Sequence, residues 1–153
     1  MHEDVLLRMR QAARSREYVV TTHADDEMYD DDLSIHDVER VIATGQIVER
    51  QKDRQSNEWN REARDHHCLS TVTIGGGMKM TCEICGRDGA RVRHVTRSYG
   101  KGADLLVIEN VPIVSCPHCG GAYLTAETMH ELDKIKSDRR TRATSRPVAV
   151  ATY

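Results

Sequence analysis

The chain opens with apolar residues at helical period. Val5, Leu6, Met9, Ala12 and Ala13 fall at i, i+1, i+4, i+7 and i+8, the spacing of one stripe along an α-helix. Tyr18-Val19-Val20-Thr21-Thr22 is β-branched and aromatic and predicts a short strand. His23 to Asp32 places Ala24 and Met28 on one face and acids elsewhere. Ser34 then stands as an N-cap to a helix that buries Ile35, Val38, Val41 and Ile42, and Gly45 ends it as a left-handed C-terminal residue. Gln46–Glu49 and Cys68–Ile74 read as strands around a polar loop. Gly75-Gly76-Gly77 is punctuation, a linker or a hairpin loop. In the second half, Arg91–Tyr99 and Leu105–Val114 read as strands, with Pro112 confined to an edge or bulge because it cannot donate to a ladder. A helix starts near Thr125 or Thr128. Thr128-x-x-Glu131 fits a capping box, with Leu132 and Ile135 on the apolar face.

Charge divides the chain of 153 residues where the glycines do. Residues 1–77 carry ten Lys and Arg against sixteen Asp and Glu, whereas residues 78–153 carry twelve against eight, so the overall net charge of −2 conceals an acidic half and a basic half. Cysteine is partitioned as well: Cys68 stands in the first half as a small buried hydrophobe, and Cys82, Cys85, Cys116 and Cys119 stand in the second. Half-length modules of this composition, with no Phe, have modest cores and need a staple. No apolar run approaches the roughly 20 residues of a membrane span, and no charged-then-apolar leader opens the chain, so a cytoplasmic protein is expected.

Cys82-x-x-Cys85-Gly86 and Cys116-x-x-Cys119-Gly120 are equivalent knuckles thirty residues apart. Each turn brings two sulfurs together, and the Gly after it takes the positive φ that closes the turn. Two such knuckles on facing hairpin ends make a closed tetrahedral four-cysteine site, the pattern of structural Zn²⁺. A thioredoxin-like redox pair needs a βαβ context that this half lacks, and paired disulfides suit a secreted chain. Four thiolates leave no open coordination position, so the expected role is folding, worth on the order of 10 kcal/mol in finger-like peptides. His118 could substitute for one cysteine. His94 and His130 read as surface histidines.

Met78-Lys79-Met80-Thr81-Cys82-Glu83-Ile84-Cys85-Gly86, Val107-Ile108-Glu109-Asn110-Val111-Pro112, and Cys116-Pro117-His118-Cys119-Gly120 with Tyr123 resemble the YgiT-type zinc finger, the toxin-facing domain of MqsA-type antitoxins. The resemblance covers residues 78–138 and implies one structural Zn²⁺ on Cys82, Cys85, Cys116 and Cys119. Longer members continue into a helix-turn-helix domain. The stretch beyond residue 138 is too short for one, so autorepression through it is not implied.

The first half is similar to the DUF4258 family. The similarity runs over about residues 16–74, through Tyr18, Thr22-His23-Ala24, Met28, Leu33-Ser34, Asp37-Val38, Val41-Ile42 and Gly45-Gln46-Ile47-Val48-Glu49. These proteins look like RelE-type ribonuclease toxins, and the segment here reads as a truncated module. A ribonuclease of that type needs a base, an acid and cations to stabilise the phosphorane. His23 is the matched residue able to transfer a proton, with Arg50, Lys52, Arg54, Arg61 and Arg64 as phosphate binders and His66 or His67 as partner acid. Competing roles are a helix cap for His23 and a salt-laced surface for the arginines.

Asp25-Asp26-Glu27 and Asp30-Asp31-Asp32 lack the order of a Ca²⁺ loop and would repel RNA. They could attract a basic partner or the chain's own Lys134–Arg146, which holds six Lys and Arg against one Asp.

The expectation is an α+β chain. A small toxin-like module at 1–74 and a glycine linker at 75–77 precede a zinc-stapled hairpin with a C-terminal helix at 78–138 and a loose basic tail at 139–153. Its expected function is that of an antitoxin-like binder neutralising a RelE-like toxin, in cis on its own N-terminal module or in trans. The alternatives are a residual endoribonuclease restrained by the finger, or a nucleic-acid-binding finger that uses the basic tail.

Overall fold

The computed structural model describes residues 2–46, 80–149 and 151. In chain order they form helix α1 (His2–Ser15), strand β1 (Val19–Thr21), helices α2 (Thr22–Asp30) and α3 (Ile35–Thr44), strands β2 (Met80–Thr81) and β3 (Asp88–Tyr99), a 3₁₀ turn (Gly102–Asp104), strands β4 (Leu106–Ser115) and β5 (Ala122–Thr125), and helices α4 (Ala126–Ser137) and α5 (Arg139–Arg142). The class is α+β. The strands expected beyond Gln46 and at Cys68–Ile74, the glycine triplet, and Arg50, Lys52, Arg54, Arg61, Arg64, His66 and His67 lie outside the described residues. Among the described residues no helix is long and apolar enough to cross a membrane.

The sheet is antiparallel in the order β1-β5-β4-β3-β2. Its members come from both halves of the chain. β1, from the acidic half, pairs Val19 with Thr125 and Thr21 with Tyr123 of β5. Because side chains alternate along a strand, Val20 and Leu124 face one side of the sheet and Val19 and Tyr123 the other. On the first side, Leu124 joins Ile108, Val111 and Tyr99 under Met129 and Leu132 of α4 and Ile35 of α3. On the second, Tyr123 and Val114 pack with Ala90, Cys82 and Cys116. One sheet thus separates a helical core from a smaller core around the sulfurs.

Local chemistry explains the element ends. Ser34 caps α3 through a reciprocal box with Asp37, as its sequence position implies. Thr21, rather than His23, caps α2 by accepting from the Ala24 N–H at 3.1 Å. α4 begins at Ala126, and its cap is Thr125, which accepts from the Thr128 N–H at 3.3 Å; the box expected from Thr128 and Glu131 is not the one used. Gly45 is extended rather than left-handed. Its constraint is steric, since a Cβ there would stand 2.5 Å from the Val41 carbonyl oxygen. β3 and β4 slip register between Val95 and Arg97, where Asn110 takes a φ of +63°. Asn tolerates that left-handed turn, and the resulting bulge lies two residues before Pro112.

Three further expectations change. α1 leaves Val5 and Met9 exposed and docks on α3 through Arg10, which donates to the carbonyls of Ile42 and Gly45 at 3.2 and 2.9 Å. His130 is buried, at 3 % exposure, rather than on the surface. The start of the basic tail is helical, and Arg139 pairs with Asp104 and Arg146 with Glu109.

Candidate metal centre

The first knuckle links β2 to β3 and the second links β4 to β5. The β3–β4 register, Arg91 opposite Ser115, puts both turns at one end of the sheet. The two are near copies in hydrogen bonding. The Gly86 N–H donates to the Cys82 carbonyl at 2.8 Å and the Gly120 N–H to the Cys116 carbonyl at 3.0 Å. The Cys82 N–H donates to the Arg87 carbonyl and the Cys116 N–H to the Gly121 carbonyl, both at 2.9 Å. Gly86 and Gly120 have φ of +69° and +70°. The conformation that the glycines predict is therefore present in both.

The Sγ atoms of Cys82 and Cys119 are 3.8 Å apart and those of Cys85 and Cys116 are 3.7 Å apart, and all four lie within 4.8 Å of one another. These spacings exclude disulfides, whose sulfurs sit about 2.05 Å apart. A regular tetrahedron of metal–sulfur bonds of about 2.3 Å sets its sulfurs about 3.8 Å apart. The donor set therefore fits one thiophilic ion with a full shell.

The backbone favours thiolate at one position and burial opposes it at another. N–H groups of Cys119 and His118 hold the Cys116 thiol down at about 6. Burial pushes Cys82 up, against N–H groups of Cys85 and Ile84. A metal cation overrides that penalty, because a coordinating thiol is deprotonated outright. Support comes from β5: the Glu83 N–H donates to the buried Tyr123 hydroxyl at 3.2 Å, tying the first knuckle to the strand that leaves the second. Gly121 is confined, since a Cβ there would meet Ile84 Cδ1 at 2.7 Å and Cys119 Sγ at 3.2 Å. His118 does not converge on the sulfurs. Its exposed ring lies over Gly89, where an added Cβ would meet Nε2 at 3.4 Å.

Of the proposed catalytic set, His23 alone lies among the described residues. That side chain is exposed on α2, its recorded ionic neighbour being Glu27 at 3.9 Å. The acidic run around it divides instead. Asp25 is buried, accepts from the Tyr99 hydroxyl at 2.8 Å and Lys136 at 3.3 Å, and pairs ionically with Arg97 at 2.9 Å, whereas Asp26 is exposed and meets the same arginine from outside. The basic stretch Lys134–Arg146 thus reaches the acidic run at Lys136 of α4. Sequence reasoning missed Asp25 because its neighbours carry the same charge, and only its place toward the sheet distinguishes it.

Comparison with known proteins yields a family match. A domain of unknown function, DUF4258, matches residues 20–97, running from β1 through the first knuckle to β3, well beyond the segment that the sequence resemblance covers. No curated protein and no solved structure matches the chain. With half of its length matched, the chain belongs to the DUF4258 family.

Proposed function

We propose that the protein is a zinc-binding, antitoxin-like binder whose cysteine-held hairpins grip a RelE-like surface, the nearest such surface being its own N-terminal segment. The observation that carries this reading is the added strand. β1 lies antiparallel along β5, the strand that leaves the second knuckle, and strand addition to a sheet edge is a general mode of protein recognition. Zinc suits the four thiolates, which are soft donors at tetrahedral spacing around an ion without redox chemistry. A full sulfur shell offers no site for water, so the ion serves to hold Cys82, Cys85, Cys116 and Cys119 while β5 presents its edge. The enzyme alternative would need His23, exposed beside Glu27, to work with arginines and histidines that lie outside the described residues. A RelE-like toxin acting in trans would compete with β1 for the same edge.

The test uses the full chain in bacteria, with and without a co-induced RelE-like ribonuclease. The wild type is expected to be harmless and to restore growth arrested by the toxin. The Cys82→Ser/Cys116→Ser variant is expected to lose that rescue. If the wild type gives no rescue and the variant is itself harmless, neutralisation in either mode is wrong.

A further inference from the structure

A second group of metal-binding atoms lies where α3 faces α4. His36 and Glu39 project from α3 and His130 from α4, with one ligand atom of each within 4.8 Å of the others. His36 and Glu39 are three residues apart and so share a helix face. His130 Nε2 is 2.9 Å from Glu39 Oε1, and His36 Nδ1 is 4.0 Å from Glu39 Oε2. The two imidazoles stand edge to face with centroids 4.7 Å apart. Tyr18 fixes the carboxylate from behind, donating to Oε1 at 2.7 Å.

Charge balance separates this group from an ordinary ion-pair cluster. Asp25 has two cations, Arg97 and Lys136. The Glu39 side chain is only 21 % exposed, and among the described residues its recorded ionic partners are the two histidines, with no Lys or Arg. Tyr18 and His130 hydrogen-bond its carboxylate at 2.7 and 2.9 Å. The result is a largely enclosed carboxylate between two imidazoles, an environment that a divalent cation completes.

We propose that His36, Glu39 and His130 form a second metal site, which takes a divalent transition ion of the zinc class and clips α3 to α4. Two imidazoles and one carboxylate select Zn²⁺, Co²⁺ or Ni²⁺ over Ca²⁺ and Mg²⁺, which take oxygen ligands. Nitrogen and oxygen donors at about 2.1 Å from a tetrahedral ion stand about 3.4 Å apart. The His36 side chain, 62 % exposed, has the freedom to close the remaining gap. Three protein ligands leave a position for water, in contrast to the four-sulfur centre. The clip joins residues 91 apart in sequence, so it binds the acidic half to the C-terminal helix independently of β1 and of any toxin.

Full-length protein is dialysed to equilibrium against buffered Zn²⁺ and its metal is counted by mass spectrometry. A parallel Co²⁺ spectrum reports the cysteine site separately through thiolate-to-cobalt charge transfer. The expected count is about one ion beyond that accounted for by the thiolate band. His36→Ala and Glu39→Gln should each lose that additional ion while the thiolate band stays unchanged. A wild type with no additional ion, as an ordinary His–Glu ion pair would give, overturns the proposal. So does an additional ion that survives both substitutions. Loss of the thiolate band alone would instead count against the four-cysteine centre.

Discussion

Asp25 shows how far one residue's role depends on what faces it. Its carboxylate is fully buried, and it is held by Tyr99, Arg97 and Lys136, with the Lys136 ammonium 4.1 Å above the Tyr99 ring. Removing one partner of such a group leaves buried charge uncompensated, which costs about 3 kcal/mol or more. Asp25→Ala is therefore expected to lower unfolding stability by about that amount in urea titrations, and Asp26→Ala, on the exposed side of the same arginine, to change it little. The tyrosines make a second prediction. Burial and the Asp25 carboxylate push the Tyr99 phenol well above its ordinary value, and burial with Glu39 does the same to Tyr18. A folded pKa above the unfolded one means stability that is complete below about pH 10 and is lost as pH rises beyond it. Phenolate absorbance from these two side chains should thus appear together with unfolding. Early titration of both in the folded protein would contradict the packing. In the sequence, Asp25 is one of six acids and Tyr99 a strand residue, and neither carries a local sign of the other.

At the scale of elements, ends are set by chemistry spanning three or four residues, and most of it is legible in one dimension. Ser34 with Asp37, Gly86 and Gly120 behave as their positions imply. The start of α4 is ambiguous in the sequence because Thr125 and Thr128 are both competent caps, and β5 decides between them by running straight to Thr125. Thr125→Ala should cost about 1 kcal/mol in thermal or urea unfolding, the value of a lost N-cap. Glu131→Ala, the other half of the unused box, should leave the midpoint nearly unchanged. His130 reads as a surface residue for a similar reason. It lies between the buried Met129 and Leu132 but is itself ionisable, and α3 supplies the Glu39 that makes its burial tolerable.

For the whole molecule, the consequential fact is that the described core is pooled. Ile35 from the acidic half packs with Leu124, Met129 and Leu132. The α3 N-terminus is held by a carboxylate of α4, the Ile35 N–H donating to Asp133 at 2.6 Å. Cys82 and Cys116 lie in the second core with Val19 of β1 packed against it. Stripping metal from the sulfur centre with a strong chelator is therefore expected to loosen β1 and α3 along with the knuckles. Amide exchange should accelerate at Val19–Thr21 and Ile35–Val41 as well as at Cys82–Cys119. Exchange confined to the knuckles would mean that the halves are energetically separate. The sequence by itself determined the two knuckles, their closing glycines, the Ser34 cap and the α+β class, because each depends on contacts between near neighbours or on a spacing visible in one dimension. Tertiary structure alone decided that β1 joins β5, that Asp25 differs from Asp26, and that His36, Glu39 and His130 meet. Those contacts unite residues some 70 to 110 positions apart, and such pairings are selected by burial of the whole chain rather than by local pattern.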